Sequence, residues 1–294
     1  MKKYIYYFFV VMAALLCSCS GSLKKERIIS VTIEPQRYFV EQIAGDKFKV
    51  HCVVPAGQSP ETFDPSPRQM TEIGRSTAYF RLGYIGFEQA WMKNIQENNP
   101  DMPLFDLSKG MTLIHGSEEM EETEHRVAGG SHTHLIDPHI WSSFEGARTI
   151  ARNTLDALIT IDEENSSYYR TNYNKLCAMI DSTEAEVSKL LKPLLSRTFI
   201  IYHPALTYLA VEYGLTQLCI EMDGKEPSPS QMKDLIDTAR KHNVRVVFVQ
   251  QEFDRKNAEL MAKETGCRLV VINPLAYDWQ EEMIHIAKSL AEGL

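Results

Sequence analysis

Three side chains with metal-binding groups lie in loops next to predicted strands. Glu61 is a carboxylate in the proline-rich loop 57–67, and His203 ends the strand-like run TFIIYH. Ligands bind at the carboxyl ends of strands in open α/β sheets, so both positions favour a binding site. With His139, in the stretch DPHIW, they predict a divalent-metal site if their loops converge on one cleft. Taken singly, each is also typical of an ordinary structural or solvated residue.

A second group of possible metal ligands is concentrated in the acidic segment 115–134. It holds four of the nine histidines of the chain, several glutamates and almost no apolar residues. Such a segment cannot bury itself, so we expect a mobile surface loop that collects metal weakly. A merely solvated charged loop is the alternative. The histidines are His115, His125, His132 and His134.

Strands and helices alternate in both halves of the chain, which predicts an α/β fold with parallel sheets. The stretch DPSPRQM (64–70) is matched by EPSPSQM (226–232), and in both the Ser-Pro-x-Gln pattern predicts a helix N-cap with a capping box. Before each, a strand leads to a proline, Pro35 or Pro204, at which we expect a helix to open. This repetition indicates two lobes built on one βα plan.

Apolar residues at helical spacing predict a long helix over about 166–191, between the two halves. At about 1.5 Å per residue it would reach about 40 Å, enough to cross both lobes as a stiff connection. We therefore expect an N-terminal lobe over 28–160, a rigid linker helix over 161–192 and a C-terminal lobe over 193–294. The metal site would lie in the cleft between the lobes.

The N-terminus resembles a bacterial secretion signal. Two lysines and a short apolar run precede the stretch LCSC (16–19), which resembles a lipobox with cleavage before Cys19 and lipid on its sulfur. We expect removal of the signal peptide 1–18, a lipid-anchored tether over 19–27 and an extracytoplasmic protein held on a membrane. An ordinary signal with an incidental cysteine is the alternative.

Charge and cysteine usage exclude other classes of protein. The net charge of −8 argues against nucleic-acid binding. The remaining cysteines are scattered without a CxxC pair, so neither a disulfide scaffold nor a zinc ribbon is expected. Whether they form one bridge or stay as buried free thiols is left open. They are Cys52, Cys177, Cys219 and Cys267.

Several stretches resemble the zinc- and manganese-type solute-binding proteins of bacterial ABC transporters. They are YFVEQIAGDKFKV, VPAGQSPETFDPSPRQM, DPHIWSS, IIYHPALTYLAVEYGL and EPSPSQMKDLIDTARKHNVRVVFVQ, in order along nearly the whole mature chain. The resemblance implies two βα lobes joined by a rigid helix, a metal held between them, a membrane permease as partner and no catalytic role. Many zinc members also carry an acidic His-rich loop.

The resemblance also implies a set of metal ligands. Its second position matches His139 and its third matches His203. Its first position is normally a histidine, where this chain has Glu61, and its fourth is often an aspartate, where this chain has Asn273. Because an amide oxygen is a poor zinc ligand, Asp278 is an alternative for the fourth position.

We therefore expect a monomeric, high-affinity zinc-binding protein that delivers Zn²⁺ to an ABC permease. The oxygen donor of Glu61 leaves Mn²⁺ open as the cargo, although the His-rich loop favours zinc. Two histidines and a carboxylate also describe catalytic zinc, so a metal-dependent hydrolase is an alternative, but no HExxH motif is present. A third possibility is a surface adhesin with a structural metal.

Overall fold

The computed structural model describes residues 27–115, 136–221 and 225–292. Two four-stranded parallel sheets form the centres of two lobes. In the N-terminal lobe the strands are β1 (Ile28–Val31), β2 (Lys49–Cys52), β3 (Ala78–Arg81) and β4 (Leu104–Asp106). In the C-terminal lobe they are β5 (Thr198–Ile201), β6 (Thr216–Cys219), β7 (Val246–Gln250) and β8 (Arg268–Ile272). The strand orders β2-β1-β3-β4 and β6-β5-β7-β8 follow one pattern, which confirms the α/β fold with two lobes on one plan.

Helices provide the crossovers that parallel strands require. They are α1 (Glu34–Ala44), α2 (Pro67–Ile73), α3 (Gly86–Asn98), α4 (Phe144–Ile161), α5 (Ser166–Leu191), α6 (Thr207–Tyr213), α7 (Pro229–Lys241), α8 (Lys256–Thr265) and α9 (Trp279–Ala291). Both predicted capping boxes are confirmed, because Ser66 accepts from the Gln69 N–H and Ser228 from the Gln231 N–H. Each box fixes the start of a helix at the same point of its lobe.

The long helix α5 packs against α1 and α4 of the N-terminal lobe and against α9 of the C-terminal lobe. Its range agrees with the predicted 166–191. The main hydrophobic core is continuous through both lobes, from Ile29 in β1 to Leu290 in α9. A second cluster covers the other face of the C-terminal sheet, because successive residues of a strand point to opposite faces.

The lobes are also joined by hydrogen bonds close to the cleft. The indole Nε1 of Trp141 donates to the carbonyl oxygen of Pro274 at 2.9 Å, and the Nε1 of Trp279 donates to the carbonyl oxygen of Trp141 at 2.6 Å. The hydroxyl of Tyr277 donates to Glu41 Oε2 at 2.6 Å. Both indoles are almost fully buried, so these bonds lie inside the junction between the lobes.

One expected helix start was wrong. The helix after β5 begins at Thr207 rather than at Pro204. The intervening residues form a turn in which the Ala205 N–H donates to the His203 carbonyl at 2.7 Å and the Leu206 N–H donates to Gln217 Oε1 at 3.0 Å. This turn separates His203 from the helix and places it just after the carboxyl end of β5.

Several predictions concern residues outside the described ranges. The signal peptide 1–18, Cys19 and most of the segment 115–134 belong to this group. Within the described residues, no helix combines enough length and apolar character to cross a bilayer. The four remaining cysteines are free, partly buried thiols.

Candidate metal centre

Four titratable side chains line one cavity at the junction of the lobes. Glu61 follows β2 and His139 precedes α4, whereas His203 follows β5 and Glu252 follows β7. Each lobe therefore contributes one carboxylate and one imidazole, from loops that follow its sheet. The rest of the described lining is Ser59, Pro60, Trp141, Ala205, Phe253, Pro274 and Leu275.

The imidazoles of His139 and His203 face each other in this cavity, with their Nε2 atoms 3.3 Å apart. The Nδ1 of His139 lies 2.8 Å from Asp137 Oδ1, and the Nδ1 of His203 lies 3.2 Å from Glu221 Oε2. Because a carboxylate accepts hydrogen bonds, each Nδ1 donates, and a ring that carries only this proton presents its Nε2 lone pair to the other ring. Two lone pairs at this distance repel each other unless a proton or a cation lies between them.

The 3.3 Å separation of the Nε2 atoms is also the spacing that one zinc ion imposes on two imidazoles. With Zn–N bonds of about 2.0–2.1 Å and a tetrahedral angle, two ligand nitrogens lie about 3.3–3.4 Å apart. A carboxylate on the far nitrogen of each ring fixes the tautomer and raises the basicity of the ligand nitrogen. The pair His139–His203 is therefore placed to hold one ion between its rings.

Hydrogen bonds and charge hold His139 in this orientation. Its backbone N–H also donates to Asp137 Oδ1 at 2.9 Å, and the Tyr208 hydroxyl donates to the Asp137 carbonyl at 2.9 Å. Burial alone would lower the pKa of His139, but the negative charges of Asp137, Glu61 and Glu252 raise it above its usual value. For the carboxyl of Asp137 burial acts in the opposite direction and would raise the pKa, but the charge and hydrogen bonds of His139 lower it below its usual value. The cavity is thus an electronegative environment that favours a cation.

Glu61 is held by the first turn of α3. The Gly86 N–H donates to Glu61 Oε2 at 3.0 Å, and the Phe87 N–H donates to the Pro60 carbonyl at 2.8 Å. The loop approaches Gly86 so closely that a Cβ there would lie 2.6 Å from the Glu61 carbonyl oxygen. The other carboxylate oxygen, Oε1, is buried without a hydrogen-bond partner in the described part of the chain. A buried anionic oxygen without a partner is costly, so this atom fits a cation ligand.

Glu252 also lines the cavity, although the sequence analysis did not single it out. The available signal was its place two residues after the strand VVFVQ, equivalent to the place of His203 two residues after β5. Glu221 and Asp137, which orient the two imidazoles, were missed as well. No local sequence motif marks them, because their role depends on the imidazole nitrogen that each contacts in the folded chain.

The structure does not bring the two candidate fourth ligands to the cavity. The Asn273 N–H donates to Glu282 Oε1 at 2.7 Å, and Asp278 lies at the start of α9; the cavity is instead lined by the intervening Pro274 and Leu275. His115 is exposed and pairs with Ile136 in an isolated bridge. His125, His132 and His134 lie outside the described residues.

In the described part of the chain, no three His, Cys, Asp or Glu side chains already form a group that would hold a metal ion. The imidazole pair has zinc spacing, whereas the carboxylates stand around it in the cavity wall. A carboxylate of the wall would have to turn toward the pair to add a third donor. The arrangement therefore consists of a fixed imidazole pair with carboxylates within the same cavity.

Comparisons with known proteins point to the same chemistry. A family model described as zinc-uptake complex component A, periplasmic (ZnuA), matches residues 29–293. The high-affinity zinc uptake system protein ZnuA of Bacillus subtilis is 29% identical over 282 residues, which cover 91% of this chain and 87% of that protein. A crystal structure of ZnuA is similar with a TM-score of 0.82 and 34% identity, over 91% of this chain and 98% of that one.

The zinc-binding lipoprotein AdcA of Streptococcus pneumoniae is 24% identical over 281 residues. The match covers 94% of this chain but only 56% of AdcA, so the chain spans about half the length of that relative. The similarity thus extends along nearly all of the present chain in each comparison.

Proposed function

We propose that this chain, which belongs to the family of zinc-uptake complex component A, captures Zn²⁺ outside the cytoplasm and delivers it to the permease of an ABC transporter. Glu61, His139 and His203 bind the ion in the cleft between the lobes. The two relatives described above are named for zinc uptake and zinc binding, which supports a carrier rather than the hydrolase alternative.

The single observation that carries this proposal is the imidazole pair. The Nε2 atoms of His139 and His203 are 3.3 Å apart, and a carboxylate holds the opposite nitrogen of each ring. A divalent ion between the two Nε2 atoms turns the repulsion of their lone pairs into two coordinate bonds. The free oxygen Oε1 of Glu61 adds a third donor and compensates part of the charge of the ion.

Zinc fits this donor set better than manganese. Imidazole nitrogen is a good ligand for Zn²⁺, and Mn²⁺ prefers oxygen donors in a larger coordination shell. Tetrahedral spacing of the two nitrogens also suits zinc. A competition titration of Zn²⁺ against Mn²⁺ on metal-free protein decides between them, with the tighter dissociation constant expected for Zn²⁺.

The anchor and the His-rich segment extend the proposal beyond the described residues. Cys19 carries the lipid that holds the protein on the outer side of a membrane, and the segment 115–134 collects zinc weakly. Mass spectrometry of the mature N-terminus tests the anchor. Deletion of 115–134 should leave the zinc affinity of the cleft nearly unchanged, because Glu61, His139 and His203 all lie outside that segment.

The decisive experiment is a zinc titration of variants against a chelator of known affinity. Glu61→Ala and His203→Ala should each weaken binding sharply, by about 100-fold or more, since even loss of an outer partner costs about 10–100-fold. His242→Ala, which removes an exposed histidine at the end of α7, is the matched control and should bind as the wild type does. Unchanged titrations of both cleft variants would contradict the proposal.

A further inference from the structure

We propose that Glu252 is the fourth ligand of the zinc site and that it sets the preference of the site among divalent metals. This inference rests on the proposed function. Glu252 lines the same cavity as Glu61, His139 and His203, and it is the remaining carboxylate of that lining. A shell of two imidazoles and two carboxylates has four donors, the number that tetrahedral zinc requires.

Residues on both sides of Glu252 in the sequence, Gln250 and Phe253, contact His203. The Gln250 Nε2 donates to the His203 carbonyl at 2.6 Å, and the His203 N–H donates to Gln250 Oε1 at 3.3 Å. The ring of Phe253 stacks on the imidazole of His203, with centroids 5.2 Å apart and an interplanar angle of 23°. These contacts hold the loop that carries Glu252 beside His203.

Charge balance explains why a second carboxylate belongs in the cavity. As zinc ligands His139 and His203 are neutral, so Glu61 alone would give the ligand shell one negative charge against the two positive charges of the ion. A buried, unpaired charge is strongly unfavourable. With Glu252 as a ligand, the ion and its four ligands are together neutral, and Asp137 and Glu221 add their charge outside this shell.

The loop that follows β8 cannot take this role as it stands. It presents Pro274 and Leu275 to the cavity, while Asn273 is held by its N–H bond to Glu282. The C-terminal lobe therefore supplies its second donor from the loop after β7, the neighbouring strand. Each lobe then contributes one carboxylate and one imidazole, with the carboxylate of the C-terminal lobe following β7 rather than the adjacent β8.

A second carboxylate has a measurable effect on metal preference. Carboxylate oxygen is a hard donor on which Mn²⁺ depends more than Zn²⁺ does, because imidazole nitrogen satisfies zinc well. Loss of Glu252 should therefore weaken the binding of Mn²⁺ more than that of Zn²⁺. A residue that merely supported the cavity wall would weaken both metals by the same factor.

The test compares Glu252→Gln with Glu264→Gln, which removes an exposed carboxylate from α8 of the same lobe. We expect Glu252→Gln to weaken zinc binding by about 100-fold and manganese binding by more, and Glu264→Gln to match the wild type. Glu252→Asp keeps the charge and should retain a metal preference closer to that of the wild type. Thermal melts of the metal-free proteins verify that each variant folds.

Two outcomes would overturn the inference while leaving the proposed function intact. One is zinc and manganese affinities of Glu252→Gln within twofold of the wild type, when His203→Ala has lost binding. The other is an equal weakening of both metals. If His203→Ala itself binds zinc as the wild type does, the proposed function fails, and the assignment of Glu252 fails with it.

Discussion

Gly86 should be essential for the position of Glu61, and its replacement by alanine tests how the site is built. A Cβ at position 86 would lie 2.6 Å from the Glu61 carbonyl oxygen, 2.7 Å from its Oε2 and 2.8 Å from its Cα. The shortest of these falls about 0.8 Å short of the 3.4 Å at which ordinary contact begins. Metal–ligand distances tolerate only about 0.2 Å, so the displaced carboxylate leaves the range of coordination.

We expect Gly86→Ala to weaken zinc binding by about 10–100-fold, the usual cost of disturbing the support of a ligand. Overpacking should also lower the free energy of unfolding by about 1–3 kcal/mol. The assay is a chelator-competition titration, together with urea unfolding of the metal-free protein.

The matched control for this prediction is Gly110→Ala. Gly110 has φ +86° and nothing within 4 Å of an added Cβ, and it does not line the cavity. Its replacement should cost about 1–2 kcal/mol through backbone strain alone and leave zinc binding unchanged. A zinc affinity of Gly86→Ala within twofold of the wild type would refute the placement of Glu61 by α3.

Three further predictions concern Glu221, His139 and Glu88. Glu221→Gln removes the charge that supports His203 Nδ1 and should weaken zinc binding by about 10–100-fold. The control Glu281→Gln changes an exposed carboxylate and should bind zinc as the wild type does. Equal zinc affinities of the two variants would contradict the role of Glu221. Zinc binding should weaken as the pH falls, because the raised pKa of His139 lets protons compete already above its usual range; a flat affinity between pH 7.5 and 5 would argue against histidine ligation. Burial raises the pKa of Glu88 from 4.5 to about 7, so folding favours its protonated form and stability should fall as the pH rises from 4.5 to 7, by about 3 kcal/mol. Urea unfolding should show that Glu88→Gln lacks this part of the pH dependence, and an unchanged pH profile would oppose it.

The sequence predicted those parts of the fold that local interactions determine. The capping boxes at Ser66 and Ser228 involve residues three positions apart, and the range of α5 follows from apolar spacing within one helix. The start of α6 was missed because a contact distant in sequence decides it. The side chain of Gln217 in β6 accepts the Leu206 N–H and stabilises a turn where Pro204 suggested a helix.

The site was harder to predict from the sequence than the fold, because contacts between residues distant in sequence determine it. Strand ends suggested where Glu61 and His203 lie, but which side chain of a loop turns inward depends on its tertiary contacts. The hydrogen bond from Gln250 to the His203 carbonyl brings the loop after β7 to the cavity. The hydrogen bond from the Asn273 N–H to Glu282 holds the loop after β8 so that the Asn273 side chain does not line the cavity. Neither interaction has a pattern that a single sequence displays.

The junction between the lobes constrains how an ion enters and leaves. Trp141, two residues from His139, bonds to Pro274 through its indole nitrogen and accepts a bond from Trp279 through its carbonyl. Wide opening would break both bonds, each of which contributes about 0.5–1.5 kcal/mol net. It would also expose the apolar core that runs through both lobes. We therefore infer that metal exchange proceeds by shifts of the loops that carry Glu61 and His203, with the lobes held together throughout.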